Sequence, residues 1–317
     1  MADACGSSSL FARIAYSNAA TGEFAAFSSA NPAFPLADGG TSLSWNQAHV
    51  NAIGLNGRTA QSTELTRPGL ELVDGDIPLL LTPVMLDTFL PHITGRALSA
   101  GVTYPAEAEP GKFHILLHRD SSLYTYIDLY IVRAEISGTA GEPLRASFSI
   151  VGKTREKAHN AGSNWPVGLE TSKSVPYMFS DLNMTVDGDA FPLRSFRLVY
   201  DSGLAPVYFD DVVMCGVKRQ GMTNTTLQLV LPHTATSYAD VLHGATPPSA
   251  LNIVLTATHP TAGMSFIMRA QGWQAPPKDP NVPGGEILLD LTGTCRTVDS
   301  GASGGAEIIF TNDSTPT

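Results

Sequence analysis

The sequence has few charged side chains, no long apolar run and no visible targeting segment. Charged residues make up 15% of the 317 residues, against about 25% in a typical soluble domain. No apolar stretch approaches the roughly 18 residues that a membrane-spanning helix requires. Residues 1–10 lack a basic region followed by an apolar run, so we expect no signal peptide. These absences predict a soluble protein that is made in a cytoplasm and is not inserted in a membrane.

The charge balance is acidic, and no basic surface is evident. The net charge is −10, from 19 Lys and Arg against 29 Asp and Glu residues. Proteins that hold nucleic acid by its phosphates normally carry a basic face. The densest basic cluster, Lys153, Arg155 and Lys157, is interrupted by Glu156, so we expect no tight binding of nucleic acid. The low share of charged residues is a first indication of subunit contacts, because interface cores are depleted in charge.

Cysteines and metal-ligand spacings are also scarce. Cys5, Cys215 and Cys295 are widely separated and form no Cys-x-x-Cys pair, which argues against a disulfide framework and fits a reducing compartment. His114 and His118 would share one face of a strand, but about 13 Å apart, which is too far for one metal ion. The sequence therefore predicts no metal site and no cofactor.

Three short strings resemble enzyme motifs, and each fails on its context. The Gly-Lys-Thr at 152–154 ends like a phosphate-binding loop, but the first glycine of that motif falls on Ser147 and a strand pattern occupies the loop. Ser303 lies in a Gly-x-Ser-x-Gly string that no histidine follows. The His-Arg-Asp at 118–120 lacks the asparagine of a kinase catalytic loop, because Thr125 stands there. We predict no catalytic residue.

Strand-like segments dominate what the sequence does contain. Thirteen runs are rich in β-branched and aromatic residues and are bounded by turn residues. They cover 42–50, 76–82, 112–119, 123–136, 143–153, 180–188, 191–200, 211–219, 225–232, 250–259, 264–270, 285–293 and 306–311. Long polar stretches separate some of them, at 17–41, 54–68, 154–175 and 273–284. Loops of this length often have a function.

One clear helix is predicted over 82–95. Thr82 can cap its first turn, Pro83 suits the first helical position and Gly95 can close the end. Pro91 would distort the last turn. The apolar residues follow helical spacing and form one stripe, which consists of Leu86, Phe89, Leu90 and Ile93. A shorter candidate helix covers 237–244, so the fold class is mainly β with little helix.

Five segments keep an order that is typical of one protein family. They are 10–25, 41–65, 75–95, 130–153 and 175–206. Among them a Gly-x-Ile strand leads into a helix that ends near a glycine, a hairpin follows, and two strands then flank a short Asp-Gly turn. In this order the chain resembles the tail tube proteins of long-tailed, siphovirus-type bacteriophages over most of residues 10–232.

The resemblance implies a fold and a structural role. The fold is a β-sandwich or barrel with one flanking α-helix and long loops. The role is that of a non-enzymatic virion protein, made in the cytoplasm of the host bacterium. Hexameric rings of the protein stack into a hollow tube that conducts phage DNA into the host cell. We expect the hairpin of 130–136 and 143–152 to help form the tube wall.

The resemblance also implies partners, but it carries over no catalytic, cofactor-binding or metal-binding residue. The partners are other copies of the chain and the tail tip or baseplate, tape measure and tail terminator proteins. DNA passes through the lumen without specific binding. We expect one domain over 1–317, within which 236–317 is either an elaboration or a surface subdomain.

The longest strand-like run carries apolar residues on both of its faces. Period-2 alternation places Leu129 and Ile131 on one face. The opposite face receives Val132, Ala134 and Ile136. A strand in a tube wall needs cover on both faces, and a central strand of a sandwich would show the same pattern.

Other functions stay open at this point. One is a β-sandwich that binds a carbohydrate or a protein at a surface, through an aromatic platform of Tyr104, Tyr124, Tyr126, Trp165 and Trp273. Another is a different structural protein of the virion. A third is an enzyme whose site residues are dispersed along the sequence and meet only in the fold.

Overall fold

Antiparallel strands form most of the fold. The computed structural model describes residues 13–19, 27, 31–37, 40–51, 66–94, 103–105, 110–119, 122–160, 175–209, 211–232, 250–260, 263–276, 287–296 and 307–313. The strands are β1 (Arg13–Ser17), β2 (Ala33–Pro35), β3 (Ser44–Asn51), β4 (Thr66–Leu80), β5 (Thr103–Pro105), β6 (Phe113–Arg119), β7 (Ser122–Thr139), β8 (Arg145–Asn160), β9 (Leu182–Val186), β10 (Asp189–Phe191), β11 (Ser195–Asp201), β12 (Leu204–Val207), β13 (Gly216–Arg219), β14 (Asn224–Pro232), β15 (Leu251–Thr258), β16 (Ser265–Trp273), β17 (Leu288–Thr294) and β18 (Ile308–Asp313). The helix is α1 (Pro83–Thr94), and a 3₁₀ turn covers Phe179–Asp181.

The predicted mainly β fold is confirmed, and every predicted strand run contains a strand. Several strands are longer than predicted, and β2 lies within the predicted polar stretch 17–41. β4 begins at Thr66 and β8 continues to Asn160, so the ends of two predicted loops belong to strands. The short candidate helix at 237–244 lies outside the described residues.

The large sheet has ten strands and divides at β7. One edge of β7 pairs with β8 along nearly its whole length. The other edge pairs first with β6 and then with β11. From these neighbours the sheet continues through β4 to β3, through β1 to β2, and through β14 to β17. The long β7–β8 hairpin therefore connects all three branches.

A β-bulge in β7 marks the place where the sheet divides. The pairing with β8 shifts by one residue between Ile131 and Arg133, so that Val132 is the extra residue. The carbonyl of Val132 accepts hydrogen bonds from the backbone N–H of Ser202 at 3.0 Å and from its hydroxyl at 2.8 Å. The chain that follows β11 is thereby fixed to the bulge.

The bulge shows that the predicted alternation of β7 is wrong. Leu129, Ile131, Ala134 and Ile136 are all buried, and all belong to the same core. The extra residue shifts the alternation by one position, which a strict period of two does not anticipate. The apolar residues of β7 therefore cover one face of the sheet rather than two.

A six-stranded sheet packs against the large sheet. Its strand order is β10-β9-β15-β16-β18-β5. The inward side chains of both sheets form one hydrophobic core, which includes Phe148, Leu198, Leu227 and Leu291 from the large sheet and Met184, Leu255, Phe266 and Phe310 from the smaller one. Strands after residue 250 enter both sheets, since β15 pairs with β9 and β17 pairs with β14.

Trp273 joins the two sheets. Its indole N–H donates to the carbonyl of Leu227 at 2.9 Å, and its side chain is 1% exposed. Gly293 of β17 lies against this ring, because a Cβ atom at residue 293 would come within 2.5 Å of the indole. A side chain at this position would push the sheets apart.

Helix α1 packs against both sheets, touching β7, β18 and β5. The hydroxyl of Thr82 accepts from the backbone N–H of Met85 at 3.2 Å, as the predicted cap requires. All four residues of the predicted apolar stripe are buried. The Phe89 ring packs against Phe113 and Phe148, with ring centroids 5.8 and 5.1 Å away. The helix therefore closes one end of the core.

The predicted Asp-Gly turn joins β9 to β10. Asp187 and Gly188 both have positive φ, 48° and 99°. A two-residue hairpin turn with both φ values positive suits an Asp-Gly pair. The backbone N–H of Asp187 donates to the carbonyl of Asn252 at 2.9 Å, which ties the turn to β15.

Candidate functional site

One face of the large sheet is turned away from the core, and we name it the open face. It is formed by alternate residues of β4, β7, β8, β11, β14 and β17, those whose sequence neighbours are buried. In β11, for example, Phe196 and Leu198 are buried while Arg197 between them is exposed. The charged residues of the open face are Asp74, Asp76, Asp128, Arg133, Glu135, Arg145, Lys153, Arg197, Asp201 and Asp290.

A two-point ion pair crosses the open face between β11 and β7. Arg197 donates through Nε and Nη2 to the two carboxylate oxygens of Glu135, both at 2.7 Å. Nη2 of Arg133 lies 3.9 Å from the same carboxylate. The hydrogen bond to Glu135 raises the pKa of Arg197. Because the pair is exposed to solvent, it adds little to stability and mainly fixes the side chains.

Neutral groups hold other carboxylates of the open face. The hydroxyl of Ser149 donates to Asp76 at 2.6 Å, and the Gln228 amide donates to Asp290 at 3.0 Å. Such partners leave the negative charge in place. Three arginines and one lysine stand against six carboxylates among the described residues of this face, a net charge of −2. The open face is therefore weakly acidic.

A two-stranded hairpin leaves the sheet at the end of β11. β12 and β13 pair only with each other among the described strands. Their connecting loop returns to β4, where the Tyr208 hydroxyl donates to the Glu71 carbonyl at 3.1 Å. The Glu71 backbone N–H in turn donates to the carbonyl of Val212 at 2.7 Å. The hairpin is thus held at both ends, at Ser202 and at β4.

Two buried histidines serve the fold rather than the open face. Nδ1–H of His92 donates to the Gly111 carbonyl at 2.8 Å, and its Nε2 accepts from the Tyr16 hydroxyl at 2.6 Å. A carbonyl oxygen only accepts, so Nδ1 carries the proton. Burial lowers the pKa of His92 and raises the pKa of Tyr16 to about 12. Both groups are neutral in this arrangement.

His114 is held in the same way. Its Nε2–H donates to the Ala19 carbonyl at 3.0 Å, and its Nδ1 accepts from the backbone N–H of Asp128 at 3.1 Å. Burial is the main cause that lowers the pKa of His114. Asp128 has a positive φ of 52° and sits at a register shift between β6 and β7, so the imidazole supports an irregular part of the sheet.

The enzyme-like strings take structural places where the structure describes them. Gly152 lies within β8, and a Cβ atom there would come within 2.2 Å of the Leu129 side chain. The glycine therefore allows β7 and β8 to pack, and 152–154 is strand rather than loop, as predicted. His118 and Arg119 end β6. Asp120 and Ser303 lie outside the described residues.

Two of the five residues of the predicted aromatic platform are buried in the core rather than exposed. Tyr126 and Trp273 are each 1% exposed and belong to the core. Tyr124 is partly buried, and the guanidinium of Arg155 lies 4.9 Å from its ring centroid. Trp165 and the side chain of Tyr104 lie outside the described residues. The interpretation as a sugar-binding platform is therefore wrong for its two most buried members, because these rings fill the space between strands.

Metal and membrane features are not seen in the described ranges. Within them, no group of three or more His, Cys, Asp or Glu side chains is arranged to hold a metal ion. No helix in the same ranges is long and apolar enough to cross a membrane. Cys215 is exposed and Cys295 is buried, and both are free thiols.

Sequence reasoning did not identify the open face or the hairpin anchor. The Arg197–Glu135 pair joins residues 62 positions apart, and only the register of β11 on β7 brings them together. The link between Ser202 and Val132 depends on a bulge, which leaves no clear signal in the pattern of apolar residues. The alternation of apolar and polar residues in β11 was visible in the sequence. The sequence did not indicate with which strands β11 would pair.

A comparison with known families gives a match over most of the chain. The family model described as phage tail tube protein matches residues 56–295. This range contains β4 to β17, and hence every strand of the open face. No curated protein matches the chain.

Proposed function

The chain belongs to the phage tail tube protein family, and from this premise we propose that its copies form hexameric rings that stack into a hollow tube. As a member of the family it is a structural component of the virion tail, which assembles into a tube with other tail proteins. Six subunits in each ring and the passage of DNA through the lumen are the specific parts of the proposal.

The observation that carries the proposal is the match over 56–295, which takes in all strands of the open face. We propose that the open face lines the lumen. Its partner face is filled by the core, and with ten strands against six the open face is the larger of the two outer sheet surfaces. A polar and well-paired sheet surface suits a channel wall. Its one large exposed apolar side chain within the described ranges, Leu70, lies on the part of β4 that precedes the pairing with β8.

The weakly acidic charge of the open face supports the proposal that the lumen does not bind DNA. Phosphate binding by Lys and Arg releases counterions and gives tight, salt-dependent association. A net charge of −2 on the open face, within a chain of net charge −10, gives the opposite field. Repeated around each ring, it repels phosphates and leaves a duplex mobile.

The remaining parts of the proposal follow from the family and the topology. The subunit acts without catalysis, cofactor or metal. Its partners are other copies of the chain, the tail tip or baseplate, the tape measure protein and the tail terminator. Residues 1–317 form one domain, a proposal supported by the entry of β15 to β18 into both sheets.

Imaging of the purified full chain tests the proposal. Concentrated protein, alone or with a tail tip complex as nucleus, should give rings with six-fold symmetry and stacked tubes in negative-stain micrographs. Sedimentation velocity should show a species of about six times the monomer mass before tubes appear. A monomer at every concentration, even with the tail tip complex present, would contradict it.

A further inference from the structure

One arginine among the described residues lies over two aromatic rings. The guanidinium carbon of Arg155 in β8 is 5.3 Å from the centroid of the Trp45 ring and 4.9 Å from the centroid of the Tyr124 ring. Trp45 belongs to β3 and Tyr124 to β7, so the two rings come from strands on opposite sides of β8. Attraction between the cation and the ring faces fixes the guanidinium, and we name these three side chains the arginine stack.

Glu71 holds the arginine stack in place. The indole N–H of Trp45 donates to Oε1 of Glu71 at 2.6 Å, and the hydroxyl of Thr154, next to Arg155, donates to the same oxygen. The main chain of Glu71 also carries the anchor of the β12–β13 hairpin. A binding group that is fixed beforehand loses less freedom when a ligand arrives, so the stack is preorganised.

The N–H groups of Arg155 have no hydrogen-bond acceptor among the described residues. An aromatic ring offers no lone pair, so the five donors of the guanidinium stay available for another partner. Other cations of the sheet are paired within the chain: Arg197 donates twice to Glu135, and the Lys112 ammonium lies 2.9 Å from Asp128. Arg155 is partly exposed, so a second molecule can reach its N–H groups.

The arginine stack lies on the core side of the large sheet, opposite to the open face. Trp45 and Tyr124 are partly buried and pack against the core, and Arg155 is paired directly with Tyr126, whose ring belongs to that core. Directly paired residues share one side of a sheet. The strand pair is irregular just before this point, at Asp128 with its positive φ, so the alternation of the open face does not extend to Arg155. A polymer that passes along the open face does not meet the stack.

We propose that Arg155 binds a carboxylate of a neighbouring copy of this chain in the assembled tube. This inference rests on the proposed function, because it needs copies in contact. A neighbouring copy presents 29 Asp and Glu against 19 Lys and Arg residues, so carboxylates are its most abundant charged groups. A carboxylate fits the planar guanidinium through two parallel N–H···O bonds. Copies of net charge −10 repel one another, and a cation without a partner in its own chain offsets that repulsion where two copies meet.

Chemical crosslinking of the full chain identifies the partner. Arg155→Lys keeps a cation over the rings and supplies an amine, which a carbodiimide joins only to a carboxylate in direct contact. Tubes are assembled from equal amounts of isotope-labelled and unlabelled R155K protein and then treated. Mass spectrometry should find peptides that link position 155 of one copy to an Asp or Glu of a copy with the other label. The same mixture treated before assembly should not contain them.

Charge reversal gives a second readout. Arg155→Glu should raise the protein concentration needed for tube assembly by about tenfold or more, because it replaces an attraction by a repulsion. Arg194→Glu is the matched control, since it makes the same charge change at an exposed arginine, and circular dichroism checks that both variants are folded. Equal assembly of R155E and R194E, or crosslinks from position 155 only within one copy, would overturn the inference and leave the proposed function intact. Failure of wild-type protein to form tubes with a tail tip complex would instead reject the proposed function.

Discussion

The two faces of the large sheet are made of alternate residues from the same strands, yet they differ in almost every physical respect. In β8, Phe148 and Ile150 are buried in the core, while Ser147 and Ser149 lie on the open face. One face meets a second sheet and a helix, and the other carries ion pairs and carboxylates held by neutral partners. The residues that specify the fold are thus separated from those that are available for contact with other molecules.

A charge on the buried face should have the largest effect. Phe148→Asp puts an unpaired carboxylate beside Phe89, and we expect a loss of more than about 4 kcal/mol in the free energy of unfolding. Ser147→Asp, one residue earlier on the open face, should cost about 1 kcal/mol or less. Urea denaturation and soluble yield measure both. Normal stability and assembly of F148D would mean that β8 is not in the sheet as described.

The sequence predicted much of the buried face and little of the open one. The apolar stripe of α1 and the strands were visible because core positions repeat with the period of the element. The pairing of β7 with both β6 and β11 could not be predicted, because the bulge at Val132 adds one residue to the strand without changing its apolar character. The Arg197–Glu135 pair depends on register, which the residues of one strand alone do not specify. The resemblance to tail tube proteins, in contrast, rested on the order of segments, and the family match confirms it.

Adding a methyl group between the two sheets should cause the next largest loss of stability. Gly293→Ala would bring a Cβ to 2.5 Å from the Trp273 ring and 2.6 Å from the Gln274 carbonyl oxygen. Because the carbonyl belongs to the backbone, the sheets must shift, and we expect a loss of about 1–3 kcal/mol.

Gly216→Ala is the matched control, since nothing lies within 4 Å of a Cβ at that position. Its free energy of unfolding should change by no more than about 0.5 kcal/mol. Equal urea midpoints for G293A and G216A would show that the sheets do not approach each other so closely at β17.

Acidification should lower the stability of the folded protein, because His92 and His114 are buried. Burial lowers the pKa of both imidazoles, so the unfolded chain binds protons that the folded chain does not. Their contribution to stability is complete above the unfolded pKa of about 6.5, and it is lost as the pH falls below that value. Thermal melting temperatures measured from pH 7.5 downwards should therefore decrease.

Replacement of the imidazoles separates this effect from other titrating groups. Burial raises the pKa of Glu307, and this carboxyl acts in the opposite direction at lower pH. In the double variant His92→Gln, His114→Gln the fall in melting temperature between pH 7.5 and 6 should be shallower. An unchanged pH profile in that variant would mean that these imidazoles are not the groups that titrate.

Reversing the charge of the open face should have the smallest effect on stability, and it should specifically increase the binding of DNA. Asp290→Lys with Thr292→Lys changes the net charge of the described open face from −2 to +1. Substitutions of exposed polar residues usually change stability by about 0.5 kcal/mol or less, and loss of the Gln228 hydrogen bond adds about 1 kcal/mol. Tubes should still form, since both residues lie on the open face and neither belongs to the core.

The DNA readout then decides whether the open face lines the lumen. At low salt, where electrostatic attraction is least screened, tubes of the Asp290→Lys, Thr292→Lys variant should bind duplex DNA in a mobility-shift titration, and wild-type tubes should not. Asp189→Lys with Asn183→Lys is the matched control, because it makes the same charge change at exposed positions of the smaller sheet. If the open face lines the lumen, virions that carry the open-face variant should also release DNA more slowly than those with the control. Equal DNA release from both would place the open face outside the lumen, and salt-sensitive binding by wild-type tubes would mean that the acidic field does not keep DNA free.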